Sequence, residues 1–334
     1  MRYFPVRHGL LVPMTRLARL FPLVAVLAIP ASAQAATSAP AVHVTGAAQI
    51  AQTSATLTGT VDPNGLQTTY YYEYGTAAGQ YTARTGPASA GAGSKAVAAA
   101  AGLTGLSPAT TYHFRLVAGN AKGTRSSIDH KFTTQKQPLG LNLLGSPNPV
   151  TYGGAVSLLG QLTGTGSANH EVHFQSKSFP YTADWADATG TLVTGSNGAF
   201  GATIPNLLVN TQFRAVTNDK NPTASPPLIV GVAVRVKLSL RSSHVHYGHK
   251  ALFSGFVTPA NDGALFYIQR LKKGQWINVA SGSVRHGSGS VSRFVKSIRA
   301  RHAGAYRVVV GVNNQNTTGA SPTVHLHVIR RHHH

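Results

Sequence analysis

Between Pro108 and Gly123 the chain alternates strictly: Tyr112, Phe114, Leu116 and Ala118 take every second position, with His113, Arg115 and Val117 between them. Alternation of period two is the mark of a strand with one apolar face, and the flanking proline and glycine end it. A strand of this kind must bury that face against a second layer, so the stretch predicts a β-sandwich. No helical period occurs in residues 140–329.

The run Leu106-x-Pro108-x-Thr110-x-Tyr112-x-Phe114-x-x-x-Ala118-x-Asn120-x-x-Gly123 resembles the E–F corner and F strand of fibronectin type III domains. The resemblance implies that the Tyr112 hydroxyl bonds back to upstream backbone. It extends over about 90 residues, with strands expected at Ala55 to Val61, Thr68 to Tyr74, Ser94 to Ala100, Thr111 to Ala118 and Ile128 to Thr133. Asp62-Pro63-Asn64-Gly65 reads as the turn joining the first two. Residues 36–135 contain no Trp, a departure from the family, and Leu57 is the candidate for the inner position. No Arg-Gly-Asp tripeptide is present, so integrin-type recognition has no support.

A chain of 334 residues has room for three sandwiches of about 100 residues each. The expected division is a signal peptide at 1–35, a fibronectin type III-like domain at 36–135, an immunoglobulin-like domain at 136–235 and a basic immunoglobulin-like domain at 236–334. Arg16 and Arg19 precede an apolar run from Leu20 to Ile29, and Ala31-Ser32-Ala33-Gln34-Ala35 supplies two overlapping small-x-small cleavage sites. The run is too short to span a bilayer core of about 30 Å. A cleaved export signal without a lasting membrane anchor is expected, with a true start at either Met1 or Met14. The expected location is extracellular, with non-covalent retention at the cell wall as an option.

Residues 136–334 contain an internal repeat. Tyr152-Gly153 recurs as Tyr247-Gly248 and Gly160 as Gly255, both 95 residues later, and Ala224-Ser225-Pro226 recurs as Ala320-Ser321-Pro322 after 96. Between these marks Trp185 answers Trp276, and Phe213-Arg214 answers Tyr306-Arg307. The two units resemble the immunoglobulin-like repeats of long bacterial surface proteins, a likeness that implies spacer, stalk or adhesive roles. The fold class expected for the whole chain is therefore all-β: three tandem antiparallel sandwiches, one fibronectin type III-like and two immunoglobulin-like.

The candidate chemistry is thin. With no Cys there is no disulfide framework, thiolate nucleophile or cysteine zinc site. Only eight carboxylates occur, and the only close pair is Asp184 with Asp187. Glycoside hydrolysis requires two facing carboxyl groups, but the repeat partner Trp276 lacks the acids that flank Trp185, and the chain is read as no enzyme. No nucleophile elbow, phosphate loop or zinc-protease helix motif is present. Tyr70, Tyr72 and Tyr74 share a strand face, where they either fill a core or form a platform for sugars. Trp185 and Trp276 carry the same carbohydrate-binding alternative.

Histidines are concentrated late, with 10 of 16 at or after His244. His244 with His246, and His325 with His327, each place two imidazoles on one strand face. If first and last strands adjoin, the four converge as a candidate site for a divalent transition metal; otherwise they are solvated surface, and no other cofactor is expected.

Charge is the stronger signal. Residues 236–334 carry 14 Lys and Arg against one acid, whereas residues 36–135 carry six against three and 136–235 five against four. Arg270, Lys272 and Lys273 lie at a hairpin before Gly274, and Arg293, Arg299 and Arg301 face outward if Phe294 and Ile298 face inward. These six are the candidate anion-binding residues. The expected partner is an anionic cell-envelope polymer or acidic polysaccharide, ahead of nucleic acid, with other surface proteins as further partners. The alternative is a purely structural spacer kept soluble by its charge.

Overall fold

The computed structural model describes residues 37–311 and 314–330. The expected signal peptide, the choice of start codon and the His332 to His334 run lie outside the described residues. Among those described there are 29 strands and no helix, and no helix is therefore long and apolar enough to cross a membrane. The strands group around three hydrophobic cores, with members from Val44 to Phe132, from Leu141 to Val232 and from Val234 to Leu326. The chain is all-β, three antiparallel sandwiches in tandem.

In the first sandwich Ala41–Ala48, Ser54–Asp62 and Val97–Thr104 form one sheet, in that order. Thr68–Gly75 and Thr111–Asn120 form the spine of the facing sheet, with His130–Thr133 beside the latter. Leu57, Tyr72, Phe114 and Leu116 are fully buried between the two. The Tyr112 hydroxyl accepts a hydrogen bond from the backbone N–H of Ser107 at 2.9 Å, as the corner motif requires. Tyr70 and Tyr72 are core residues and Tyr74 packs against them, so the tyrosine row is internal and presents no sugar platform. The Tyr72 hydroxyl donates to the carbonyl of Ala99 at 2.9 Å, and burial pushes its pKa up.

Two strand limits shift from the sequence expectation. Residues 94–96 lie in the turn, and the strand starts at Val97 because Leu103 must reach the core opposite Ala55. Ile128 is 78% exposed, and the last strand of the domain begins at His130. Ala41–Ala48 is an additional strand; only Val44 in it is buried, which leaves little alternation to read.

The second and third sandwiches repeat one another atom by atom at several points. Gly140–Ser146, Gly154–Thr163 and Ala199–Leu207 form a sheet in the second, and Arg235–Leu240, Lys250–Thr258 and Ser292–Arg299 form its counterpart in the third, with the short Arg285–His286 at its edge. Gly160 lies opposite Phe200 and Gly255 opposite Phe294. Each phenylalanine then pairs with an aromatic of the facing sheet, Phe174 with Phe200 at 5.2 Å and Phe266 with Phe294 at 5.0 Å between centroids. On the outside, Gln175 accepts from Nε of Arg214 and Gln269 from Nε of Arg307, both at 2.9 Å. The two guanidinium carbons lie 4.5 Å and 4.3 Å from the ring centres of Trp185 and Trp276. Ser225 and Ser321 each accept a backbone N–H, from Ala215 and Val308, at 2.9 Å.

Between these two sandwiches almost no chain is free. Val232–Ala233 still pairs with Val150–Thr151, and Arg235–Leu240 already belongs to the next sheet. A loop of the third sandwich reaches back: Asn210 donates from its backbone to the carbonyl of Gln315 at 2.9 Å and from its side chain to Asn314 at 3.0 Å. Asn316 donates to Leu208 at 2.9 Å.

Candidate anion-binding face

The outer face of the sheet built from Arg235–Leu240, Lys250–Thr258, Ser292–Arg299 and Arg285–His286 collects the charge. Cross-strand partners in antiparallel pairs project to the same side. Register puts Lys237 opposite Phe256, Phe256 opposite Arg293, and Arg293 opposite Arg285. A single row across four strands thus reads Lys, Phe, Arg, Arg, and Phe256 is 51% exposed within it. Three rows further along, Lys250 lies opposite Arg299. Alternation along Ser292–Arg299 turns Phe294 inward and leaves Arg293, Val295, Ser297 and Arg299 exposed. Arg301, beyond the strand end, is exposed as well.

No carboxylate shares this face. The one acid of residues 236–334, Asp262, is held at the sheet edge, where it accepts from the Ser292 hydroxyl and contacts His286 Nδ1 at 3.1 Å. The Ser292 hydrogen bond, outweighing slight desolvation and helped by His286, holds its carboxyl below the usual range. Asp262 is thereby ionised but already engaged. Arg235 is also engaged, donating from Nη2 to the carbonyl of Tyr152 at 2.7 Å.

The six residues picked from sequence do not form one strip. Arg293 and Arg299 are on the face and Arg301 follows them. Lys272 and Lys273 lie on the other sheet, at the hairpin between Leu265–Lys272 and Gln275–Ser283. Lys273 and Gly274 take φ of 47° and 79° in its two-residue turn, the left-handed pair that matches strand twist. Arg270 leaves the candidate set. It pairs with Tyr306 in the same inward phase as Phe266 with Val310 and Ile268 with Val308, and its Nε is buried without a hydrogen bond. Lys237, Lys250, Arg285 and Phe256 complete the face. Their signal in sequence is the every-second-residue spacing of Arg235 with Lys237, but only register unites four segments.

The histidine strands do adjoin: His244–His246 runs parallel to Val324–Ile329, with His244 opposite His327 and His246 opposite Ile329. The His244 and His327 rings stack at 4.6 Å with planes 10° apart. His325 and His246 are then four residues apart along the ladder, about 13 Å at 3.3 Å per residue. His246 instead neighbours His249 at 5.8 Å. Among the described residues no group of three or more His, Asp or Glu could hold a metal ion; the expected four-imidazole site is not assembled.

Asp184 is exposed, while Asp187, 68% exposed at its side chain, contacts His173 at 3.3 Å and accepts from Gln175 at 3.0 Å. Trp185 and Trp276 are half-buried and each has an arginine against its ring, so neither offers both faces to a sugar.

No protein-family model matches the chain, and no curated protein matches it. Among solved structures it is similar to the crystal structure of chicken CNTN1 FN1–FN3 domains, at 13% identity and a TM-score of 0.28, over 87% of this chain and 99% of that one. It is also similar to murine CEACAM1b, at 15% identity and a TM-score of 0.26, over 57% of this chain and 100% of that one. Likenesses of that size add no argument, and the sandwich architecture stands on the strand pairing itself.

Proposed function

We propose that this chain is an exported, non-catalytic interaction protein whose C-terminal sandwich holds an anionic polymer on the outer face of its basic sheet. The other two sandwiches act as spacers or present further ligands. The observation that carries the reading is the acid-free row Lys237, Phe256, Arg293 and Arg285, with Lys250 and Arg299 three rows further along the same face. The equivalent row of the second sandwich, Asn142, Gln161 and Ala199, is uncharged, so the charge is a property of this domain and not of the scaffold. Spaced cations on a flat sheet suit a long, repeating anion, which they attract at range and hold by displaced counterions. The N-terminal export pattern favours an envelope polymer or acidic polysaccharide over nucleic acid.

The test is binding of the intact secreted chain to purified envelope polymers, acidic polysaccharides and duplex DNA across 50 to 200 mM salt. For a polymer with the charge spacing of duplex nucleic acid, five contacts predict a log–log slope of about −4.5, shallower for a sparser polymer. Replacing Lys237, Arg293 and Arg299 by Gln should flatten that slope by up to about 2.7. A triple variant with the slope of the parent chain would leave only the spacer role.

A further inference from the structure

At the edge of the same sheet the sandwich is open, and a cavity of about 400 Å³ there is lined by Arg285, Arg293, Lys296, Ser283, Phe266 and Phe294. We propose that this cavity is a pocket for a dianionic phosphate group, the terminal or pendent phosphomonoester of a polymer unit; it deepens the polymer-binding reading and rests on it for the polymer alone.

Three observations lead there. Arg285 stands directly opposite Arg293 in an antiparallel pair. Like charges at directly opposed positions are destabilising, and among the described residues no ion pair relieves them; the one nearby acid is bound to Ser292 and His286. Two arginine side chains that line one cavity without a carboxylate can receive an oxyanion, since each guanidinium can donate two parallel N–H bonds to it.

Lys296 is the second observation. It shares the inward phase of Ser292, Phe294 and Ile298, yet it is only half-buried. Its strand beyond Val295 has no partner on that side, because Arg285–His286 pairs only with Arg293 and Ser292. The aliphatic stem thus lies along the open edge of the core, and the side chain lines the cavity with the two arginines.

The third is the wall. Gly282 lies opposite Phe266, and a Cβ there would come within 2.8 Å of the Phe266 ring. The glycine lets the Phe266 ring lie close against its strand, so the ring itself forms this wall of the cavity. Three cations on a floor of two aromatic rings exceed what one carboxylate or a monoanionic sulfate ester calls for, and match a phosphomonoester, which carries close to two charges at neutral pH.

The experiment is calorimetry of the full chain at about pH 8 with three probes: inorganic phosphate, methyl sulfate as the monoanionic ester, and a polymer ending in phosphomonoesters. Phosphate should bind one to one and at least about tenfold more tightly than methyl sulfate, because close to two charges rather than one meet the three cations. Lys296→Met keeps the stem and removes the charge, and Arg285→Gln removes one fork from an exposed position; each should weaken phosphate about tenfold. Lys250→Gln and Arg299→Gln, on the outer face away from the cavity, should leave phosphate within about twofold while weakening the polymer. Equal affinity for methyl sulfate, or phosphate binding indifferent to both Lys296→Met and Arg285→Gln, would overturn the pocket. Polymer binding without phosphate binding would overturn the pocket and leave the face; phosphate binding without polymer binding would uphold the pocket and overturn the face.

Discussion

Gly160→Ala and Gly255→Ala look like the same substitution in two copies of one repeat, and the structure predicts that they behave differently. At Gly160 the added Cβ would clash with the tip of the Phe200 ring, and all three nearest atoms belong to that side chain. At Gly255 the nearest atom is the backbone carbonyl oxygen of Lys237, with the Phe294 ring behind it. Overpacking a filled core costs about 1 to 3 kcal/mol, so taking 2 kcal/mol, and about 4 to 8 °C per kcal/mol for a domain of this size, either alanine should lower the melting midpoint of its sandwich by roughly 8 to 16 °C. Phe200→Leu removes the obstacle at Gly160, so the double mutant should recover part of the loss, with a coupling of about 1 kcal/mol or more. Phe294→Leu cannot move a carbonyl, and the second cycle should show coupling below about 0.5 kcal/mol. Calorimetric unfolding of the two single-mutant pairs and their doubles is the assay. Equal coupling in both repeats, or Gly160→Ala within about 2 °C of wild type, would refute the register argument.

Other expected outcomes follow from single contacts. Tyr112→Phe leaves the Ser107 N–H without its acceptor and should cost the first sandwich about 1 to 3 kcal/mol, measured by urea unfolding. Asp129 meets His113 at 2.6 Å and Tyr81 at 2.7 Å; slight desolvation raises its carboxyl, but the hydrogen bonds and the His113 and His130 charges hold it below the usual range. Its stabilising contribution is present above the unfolded carboxylate pKa of about 4 and is lost as pH falls through the lower folded value, so Asp129→Asn should flatten the acid limb of a stability–pH curve. Asn210→Ala removes side-chain bonds to Val232 and Asn314 and should split a joint melting of the last two sandwiches into two calorimetric transitions.

What the sequence makes legible is whatever lives in a single strand. Tyr112, Phe114 and Leu116 announce their strand because every second residue must enter the core, and Tyr112 finds its acceptor role through a motif only five residues long between Ser107 and itself. Gly160 and Gly255 stand out as repeated glycines, but why they are glycines depends on the rings of Phe200 and Phe294 some 40 residues away. The binding face has the same difficulty four times over. Lys237, Phe256, Arg293 and Arg285 become neighbours only through cross-strand register, and a shift by one residue would turn each to the opposite side. Arg270 illustrates the converse: its proximity to Lys272 suggests a basic tip, whereas the phase set by Phe266 and Ile268 sends it inward. For the histidines, alternation correctly places both pairs on exposed positions, and the offset of the parallel register separates His246 from His325.

Because the second and third sandwiches share their core glycine–phenylalanine pairs and their glutamine–arginine–tryptophan contacts, differences in polymer binding must reside in outward positions. That idea can be tested by moving the face. Asn142 and Ala199 occupy in the second sandwich the register positions of Lys237 and Arg293, and Ala155 precedes Gly160 by five residues as Lys250 precedes Gly255. Asn142 and Ala155 are exposed and Ala199 half-buried, so Asn142→Lys, Ala155→Lys and Ala199→Arg should each change stability by no more than about 0.5 to 1 kcal/mol. Placed in the chain whose own face has been neutralised at Lys237, Arg293 and Arg299, the three substitutions should restore polymer binding and steepen its salt slope by up to about 2.7 for duplex-like charge spacing. They should not restore affinity for inorganic phosphate, since the second sandwich has no counterpart of the opposed Arg285 and Arg293 pair. A folded graft with no gain in salt-dependent binding would mean that net charge alone is insufficient and that Phe256, for which the second sandwich has Gln161, is the part of the face that holds the ligand.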